Sequence, residues 1–204
     1  VAGTQSMVCD FDGLRVGLLV CEDVWVPDIV ESTCRLGVDL ILVVNASPFA
    51  EGKFGERLDH LKHRASVNQV PIAYVNLVGG QDELIFDGGS LVVDRDGEII
   101  AQATFFAEDQ LDVVWDGQHL IGDRVENTPS DDALLYQALV TGVRDYFSKT
   151  GFRKAVLGLS GGIDSALTLA VAVDALGADN VHAVMMPYFY TADISVTDAK
   201  RQAE

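Results

Sequence analysis

Hydrophobic positions along this chain follow two periods. "LRVGLLVC" (residues 14–21) and "LILVVNAS" (40–47) are short, β-prone apolar runs, which predicts strands buried on both faces. Between them "VPDIVESTCRLGVDL" carries Pro27 at a helix-opening position and Gly37 at a helix end, so strand, helix and strand make a βαβ unit. "KFGERLDHLKHRASVNQ" places Phe54, Leu58, Leu61 and Ala65 at helical spacing on one apolar face. "PIAYVNLVGG" and "LIFDGGSLVV" predict strands, and "VDRDGEII" a hairpin turning at Asp96-Gly97. After "LDVVWD" the strand pattern stops. "ALLYQALVTGVRDYFSKTG" predicts an amphipathic helix ended by Gly151, and "KAVLGL", "DSALTLAVAVDALG" and "NVHAVMMP" predict a second βαβ unit. The fold class expected is α/β.

Composition sharpens this outline. The 204 residues are 49% hydrophobic, enough for one or two cored domains. A net charge of −17 argues against a nucleic-acid backbone or an anionic membrane as partner. Any phosphate must then be held by backbone N–H groups, a metal or a few chosen cations. Residues 1–128 carry 8 Lys/Arg against 22 Asp/Glu, whereas 129–204 carry 6 against 9. That shift, with the polar stretch "GDRVENTPSDD", predicts a boundary near Thr128-Pro129 and domains of 1–126 and 127–204. Cys9, Cys21 and Cys34 form no CxxC pair, which predicts reduced thiols in a cytoplasmic protein. No run of 18 apolar residues spans a membrane. The chain opens on Val1 without an initiator Met and ends on "AKRQAE" inside a helical pattern, so it reads as a fragment, and the lack of a signal peptide says little.

The second βαβ unit holds the first chemical motif. Gly158, Leu159, Ser160, Gly161, Gly162, Ile163, Asp164 and Ser165 lie between an apolar strand and a helix N-terminus, where backbone N–H groups and the helix dipole favour an anion. A Walker A loop needs a Lys before its last hydroxyl, and here Asp164 precedes Ser165. Gly158-Leu159-Ser160-Gly161-Gly162 also fits the GxSxG nucleophile elbow, but only His182 follows it, within a predicted strand, so a triad lacks its base. A plain glycine-rich turn is the bland alternative. SGGIDS resembles the pyrophosphate-binding loop of the N-type ATP pyrophosphatases, which adenylate a carboxyl or carbonyl oxygen. That resemblance implies ATP as substrate, pyrophosphate held along Gly158–Ser165, and Asp164 as a Mg2+ partner.

Cys21 ends one predicted strand and Ser47 the next. Parallel strands bring both residues to one carboxyl edge, where open α/β sheets place their sites. Position alone leaves Cys21 equally a small buried hydrophobe. The ordered set "CEDVW", "NASPF", Lys53, Arg57 and "QDELIFDGGS" resembles the carboxyl-terminal half of the nitrilase-superfamily glutaminase domain of the glutamine-dependent NAD synthetase family, over about residues 14–115. With SGGIDS after it, the resemblance covers nearly the whole chain. It implies the carboxyl-terminal part of a nitrilase-like α-β-β-α sandwich followed by the start of a Rossmann-like parallel-sheet adenylating domain.

By that resemblance Cys21 is the thiolate that attacks the glutamine amide, the Glu22 N–H helps hold the oxyanion, and Ser47 and Lys53 bind glutamine. The activity implied is that of a ligase. ATP adenylates deamido-NAD and ammonia from glutamine completes NAD, in a large homo-oligomer. The nitrilase Glu base and Lys precede the Cys in that family, yet residues 1–20 contain neither Glu nor Lys. The chain alone is therefore expected to be inactive. Alternatives are a stand-alone nitrilase-type amidase and a non-catalytic scaffold. Asp82, Glu83 and Asp87 offer a metal site without a His and read more simply as a solvated loop or an interdomain contact, while a solvated helix start is the bland alternative for Lys53 and Arg57 without the resemblance. His60 and His63 lack a third zinc ligand, while Trp25 and Trp115 read as packing residues.

Overall fold

A computed structural model describes Gly3 and residues 5–122 and 124–204. Two compact units emerge, one of Val1–Gly79 with Leu84–Leu134, the other of Gly80–Glu83 with Leu135–Glu204. The division falls inside one long helix, and the hairpin tip at residues 80–83 belongs with the second unit.

The first unit is built on a six-stranded sheet: β1 (Met7–Phe11), β2 (Leu14–Val20), β3 (Leu40–Asn45), β4 (Ile72–Asn76), β7 (Leu91–Val93) and β8 (Ile99–Gln102), in that order. β2, β3 and β4 run parallel, Val20 beside Val44 and Val44 beside Val75, while β1 on one side and β7 then β8 on the other extend the sheet by antiparallel pairing. α1 (Pro27–Cys34) and α2 (Lys53–Asn68) cover the face that carries Ile41, Val43, Ile72 and Tyr74, all buried. The helix approach is close: a Cβ on Gly17 would meet the Thr33 methyl of α1 at 2.6 Å.

The opposite face corrects the expectation of strands buried on both sides. Val20, Val44 and Val75 form an exposed row across three strands. Further along that face β9 (Val113–Trp115) and β10 (Leu120–Gly122) pair antiparallel. They wall a cavity of about 320 Å³ with Leu14, Leu40, Ala73 and Trp115. β1 and β10 were not foreseen, the latter because three residues carry too little alternation to register.

Two predicted strands are each broken in two. "PIAYVNLVGG" divides into β4 and β5 (Val78–Gln81), and "LIFDGGSLVV" into β6 (Leu84–Asp87) and β7, with β5 and β6 pairing as a hairpin. Gly88 and Gly89, at φ 63° and 57°, turn the chain between β6 and β7, and a Cβ on Gly89 would lie 2.6 Å from the Phe105 ring. The hairpin expected at "VDRDGEII" forms: β7 and β8 pair across a turn in which the Asp94 carboxylate accepts from the N–H groups of Asp96 and Glu98.

α3 (Asp131–Thr150) links the two units. In the second unit β11 (Ala155–Gly158) and β12 (Val181–Val184) pair in parallel across α4 (Ile163–Leu176), the βαβ arrangement expected, and α5 (Asp193–Ala203) follows. Leu159, Leu169 and Ala199 form its small core.

Candidate functional site

Cys21 stands immediately after β2 and opens a 3-10 turn, Cys21–Trp25. Its φ of 49° puts a non-glycine residue in the left-handed region, a conformation that persists only where neighbours hold it. Two contacts do so. The Asp23 carboxylate accepts from the Val20 N–H at 2.9 Å, and the buried Arg64 of α2 donates to the carbonyls of Val24 (3.4 Å) and Trp25 (3.0 Å). Trp25 also packs against His60 with the rings tilted and the centroids 4.5 Å apart, which makes both of them packing residues of this turn. Cys21 itself is half-buried and Glu22 exposed, so the N–H that follows the thiol lies at a surface turn.

Ser47 lies just past β3 at the same carboxyl edge and is buried, at 3% exposure. Asn76, at the end of β4, brackets its main chain: the side-chain oxygen accepts from the Ser47 N–H at 2.9 Å, and the amide nitrogen donates to the Ser47 carbonyl at 3.3 Å. That amide nitrogen also donates to Asp87 Oδ1 at 2.8 Å. Asp87 in turn receives both guanidinium prongs of Arg57, at 3.2 and 3.3 Å. Asp87 and Arg57 are almost wholly buried, at 2% and 1% exposure, so neither the solvated-loop reading of Asp87 nor the solvated-helix reading of Arg57 holds. Asp82 and Glu83 are exposed. Lys53 is the first residue of α2, its N–H bonded to the Ala50 carbonyl, four residues before Arg57.

Tyr74 was missed. Its ring lies under the Arg57 guanidinium, 5.4 Å from centroid to carbon, and its hydroxyl oxygen is buried without a hydrogen-bond partner. Burial pushes the phenol's pKa up, Arg57 and the approaching Ser47 hydroxyl oppose that, and Cys21 and Asp87 push it further up. Ser47, Asn76, Asp87, Arg57 and Tyr74 are joined by these contacts into one corner, and Cys21 follows β2, the strand beside β3. The other thiols differ. Cys9 donates to the Val16 carbonyl, and burial, then Glu31, raises the pKa of Cys34, which keeps it protonated.

The Gly158–Ser165 segment is organised by its own hydroxyls. Ser165 Oγ accepts from the Ser160 N–H (3.2 Å), donates to the Gly162 carbonyl (2.9 Å) and lies 3.1 Å from Ser160 Oγ, which accepts from the Gly162 N–H (3.3 Å). Leu159 points into the core and its N–H pairs with the Val184 carbonyl. Gly161, at φ 86°, has a close approach of an unforeseen kind: a Cβ there would sit 2.3 Å from the Ser195 carbonyl oxygen of α5. Gln202 of α5 donates to the Gly161 carbonyl. The glycine therefore seats the loop on α5, leaving Ser160, Gly162, Ile163 and Asp164 exposed at the first turn of α4. No group of three or more His, Cys, Asp or Glu that could hold a metal occurs among the described residues. Nor is any helix among them long and apolar enough to cross a membrane.

Comparison with known proteins bears on both units. Residues 2–116 match the carbon-nitrogen hydrolase family and residues 135–204 the NAD synthase family. The glutamine-dependent NAD(+) synthetase of Acinetobacter baylyi is 45% identical over 203 residues, covering 98% of this chain and 38% of the relative. That of Xanthomonas campestris is 46% identical over 199 residues, covering 94% and 35%. The solved structure of the Acinetobacter baumannii enzyme, in complex with adenosine diphosphate, superposes with a TM-score of 0.94 at 47% identity, over 98% of this chain and 39% of that one. The chain thus spans somewhat over a third of the length of these relatives, and its α/β fold is a nitrilase-like part followed by the start of a synthetase domain. It belongs to the carbon-nitrogen hydrolase family, and it matches the glutamine-dependent NAD(+) synthetases across both of its units.

Proposed function

We propose that this chain is the part of a glutamine-hydrolysing NAD synthetase that carries the thiol nucleophile of the glutaminase and the pyrophosphate loop of the synthetase. Cys21 Sγ attacks the side-chain amide carbon of glutamine. The Glu22 N–H donates to the oxyanion, ammonia leaves, and water then cleaves the thioester to glutamate. Ser47 and Lys53 hold the amino-acid end of the substrate, the Lys53 ammonium facing its carboxylate. In the second unit the deamido-NAD carboxylate attacks the α-phosphorus of ATP, and the departing pyrophosphate is held by Ser160–Ser165 at the first turn of α4, the two hydroxyls exchanging their bonds within the loop for the ligand. Ammonia then displaces AMP to give NAD.

An exposed Asp164 beside a phosphate loop suits Mg2+, which takes one or two carboxylates and completes its shell with phosphate oxygens and water. Asp164 would hold the ion, which supplies charge neutralisation at the phosphates.

The observation that carries this reading is the left-handed Cys21 at the carboxyl end of parallel strands, in a chain whose second unit carries an SGGIDS turn between β11 and α4. The test is NAD formation from deamido-NAD, ATP and Mg2+ by the longest natural chain containing this sequence, with glutamine or ammonium as donor. Cys21→Ala is expected to lower glutamine-supported synthesis by roughly 10³-fold or more, with ammonium-supported synthesis changed less than about twofold. Glutamine hydrolysis without ATP-dependent synthesis would point to an amidase, and neither activity to a scaffold. Either result defeats the proposal.

A further inference from the structure

Behind Ser47 lies a buried polar chain that the chemistry above does not use. Arg57, Asp87 and Asn76 come from α2, β6 and β4, and each is less than a tenth exposed. A buried charge pair is costly to desolvate and adds little net stability over an apolar replacement of the same shape. Its retention here has a geometric correlate. Arg57 fixes both oxygens of Asp87, Asp87 Oδ1 orients the Asn76 amide, and that amide matches its donor and its acceptor to the carbonyl and N–H of Ser47. Asn76 is itself anchored, its own N–H donating to Ser90 Oγ at 3.0 Å. Ser47 sits beyond the last residue of β3, beside a short bridge in which Pro48 pairs with Phe86 of β6 and the Phe49 N–H donates to the Ile85 carbonyl at 2.7 Å. Asn76 adds a side-chain anchor from β4, bonding both the N–H and the carbonyl of Ser47.

We infer that Arg57, Asp87 and Asn76 are positioning residues for glutamine binding, setting the main chain of Ser47 and through it the substrate-facing edge beside Cys21. This rests on Ser47 lying in the glutamine site. The arrangement predicts a particular kinetic signature: freeing Ser47 weakens substrate capture while leaving the Cys21 turn, which is held separately by Asp23 and Arg64, able to react.

The test uses the longest natural chain containing this sequence and measures glutaminase KM and kcat, with ammonium-supported NAD synthesis as a check on the fold. Asn76→Ala removes two hydrogen bonds to Ser47 and is expected to raise the glutamine KM roughly tenfold, with kcat within about threefold and ammonium-supported synthesis unchanged. A merely structural role lowers the active fraction, so kcat falls while KM stays put, and that result overturns the inference. Should Asn76→Ala not fold, Arg57→Lys decides. It keeps the charge against Asp87 and loses the two-pronged fit, so KM is expected to rise at least about threefold, and an unchanged KM counts against the inference. Ser47→Ala separates the two levels. No change in its KM shows that the Ser47 side chain does not hold glutamine, which removes the reading on which the inference rests. A raised KM in Ser47→Ala beside a normal one in Asn76→Ala sinks the positioning role alone.

Discussion

The corner at Cys21 and the loop at Ser160 both follow a β-strand and both contain a left-handed residue, yet they are held in opposite ways. At Cys21 the strained residue carries a side chain, and its surroundings are braced by buried charged groups: Arg64 on the turn, Arg57 and Asp87 beneath Ser47. At Ser160 the left-handed position is a glycine, the bracing groups are two small hydroxyls, and the outer face is open. The contrast fits the chemistries proposed. A nucleophile must be held at one angle to one carbon, and that requires rigid side chains behind it. A polyanion cradle needs N–H groups close to the ligand, and that requires the absence of side chains in front.

If rigidity at the Cys21 corner comes from buried charge, breaking the pair is the most damaging change available. Asp87→Ala leaves the Arg57 guanidinium buried without its partner and strips an acceptor from Asn76. It is expected to destabilise the first unit by about 3–5 kcal/mol, read as a lower urea midpoint. A shift under about 1 kcal/mol would mean water already reaches the pair. The Ser160 loop is expected to break through its backbone. Gly161→Ala meets both the left-handed φ and the Ser195 carbonyl and should cost roughly 2–4 kcal/mol in the second unit. Gly162→Ala, at φ −84° with the nearest neighbour 3.4 Å away, should cost at most about 1 kcal/mol. Equal effects at the two glycines would show that the seat on α5 contributes nothing.

What the sequence disclosed follows the same division. The Ser160 loop was legible because strand, glycine turn and helix are contiguous, so residue type and local period suffice. Cys21 and Ser47 were legible as the ends of successive parallel strands. Their support was not, because it comes from residues about thirty positions apart: Arg57 with Asp87, Asn76 with Ser47. Signals did exist. Arg57 sits three residues after Phe54 and four before Leu61, on the apolar face of α2, where a solvated arginine does not belong. Asn76 lies two residues after Tyr74 and four after Ile72, and all three are buried. The exposed valine row was hidden for a different reason: an apolar run does not say which of its faces the described residues cover.

The smallest expected effect calibrates the largest. Asp109 and Arg124 form another of the Arg–carboxylate contacts of the first unit, at 2.7 Å and nearer the surface than Arg57 and Asp87. The Asp109 carboxyl is held well below the usual carboxylate range, first by the Thr104 N–H and then by Arg124. It therefore binds its proton more weakly folded than unfolded, so unfolding in acid takes up a proton. Its contribution is complete above its ordinary pKa of 3.8 and is lost as pH falls below that value. Asp109→Asn should lower the urea midpoint at pH 7 by roughly a few tenths molar, and the gap to the parent should narrow as the pH is taken from 4 toward 2. Added salt should shrink it as well, since an exposed pair is screened, whereas the deficit of Asp87→Ala should not respond to salt. A gap for Asp109→Asn that holds constant down to pH 2 would show that the Thr104 bond acts through shape and not through charge. A salt-sensitive deficit for Asp87→Ala would place that pair in contact with solvent and remove the distinction between the two corners.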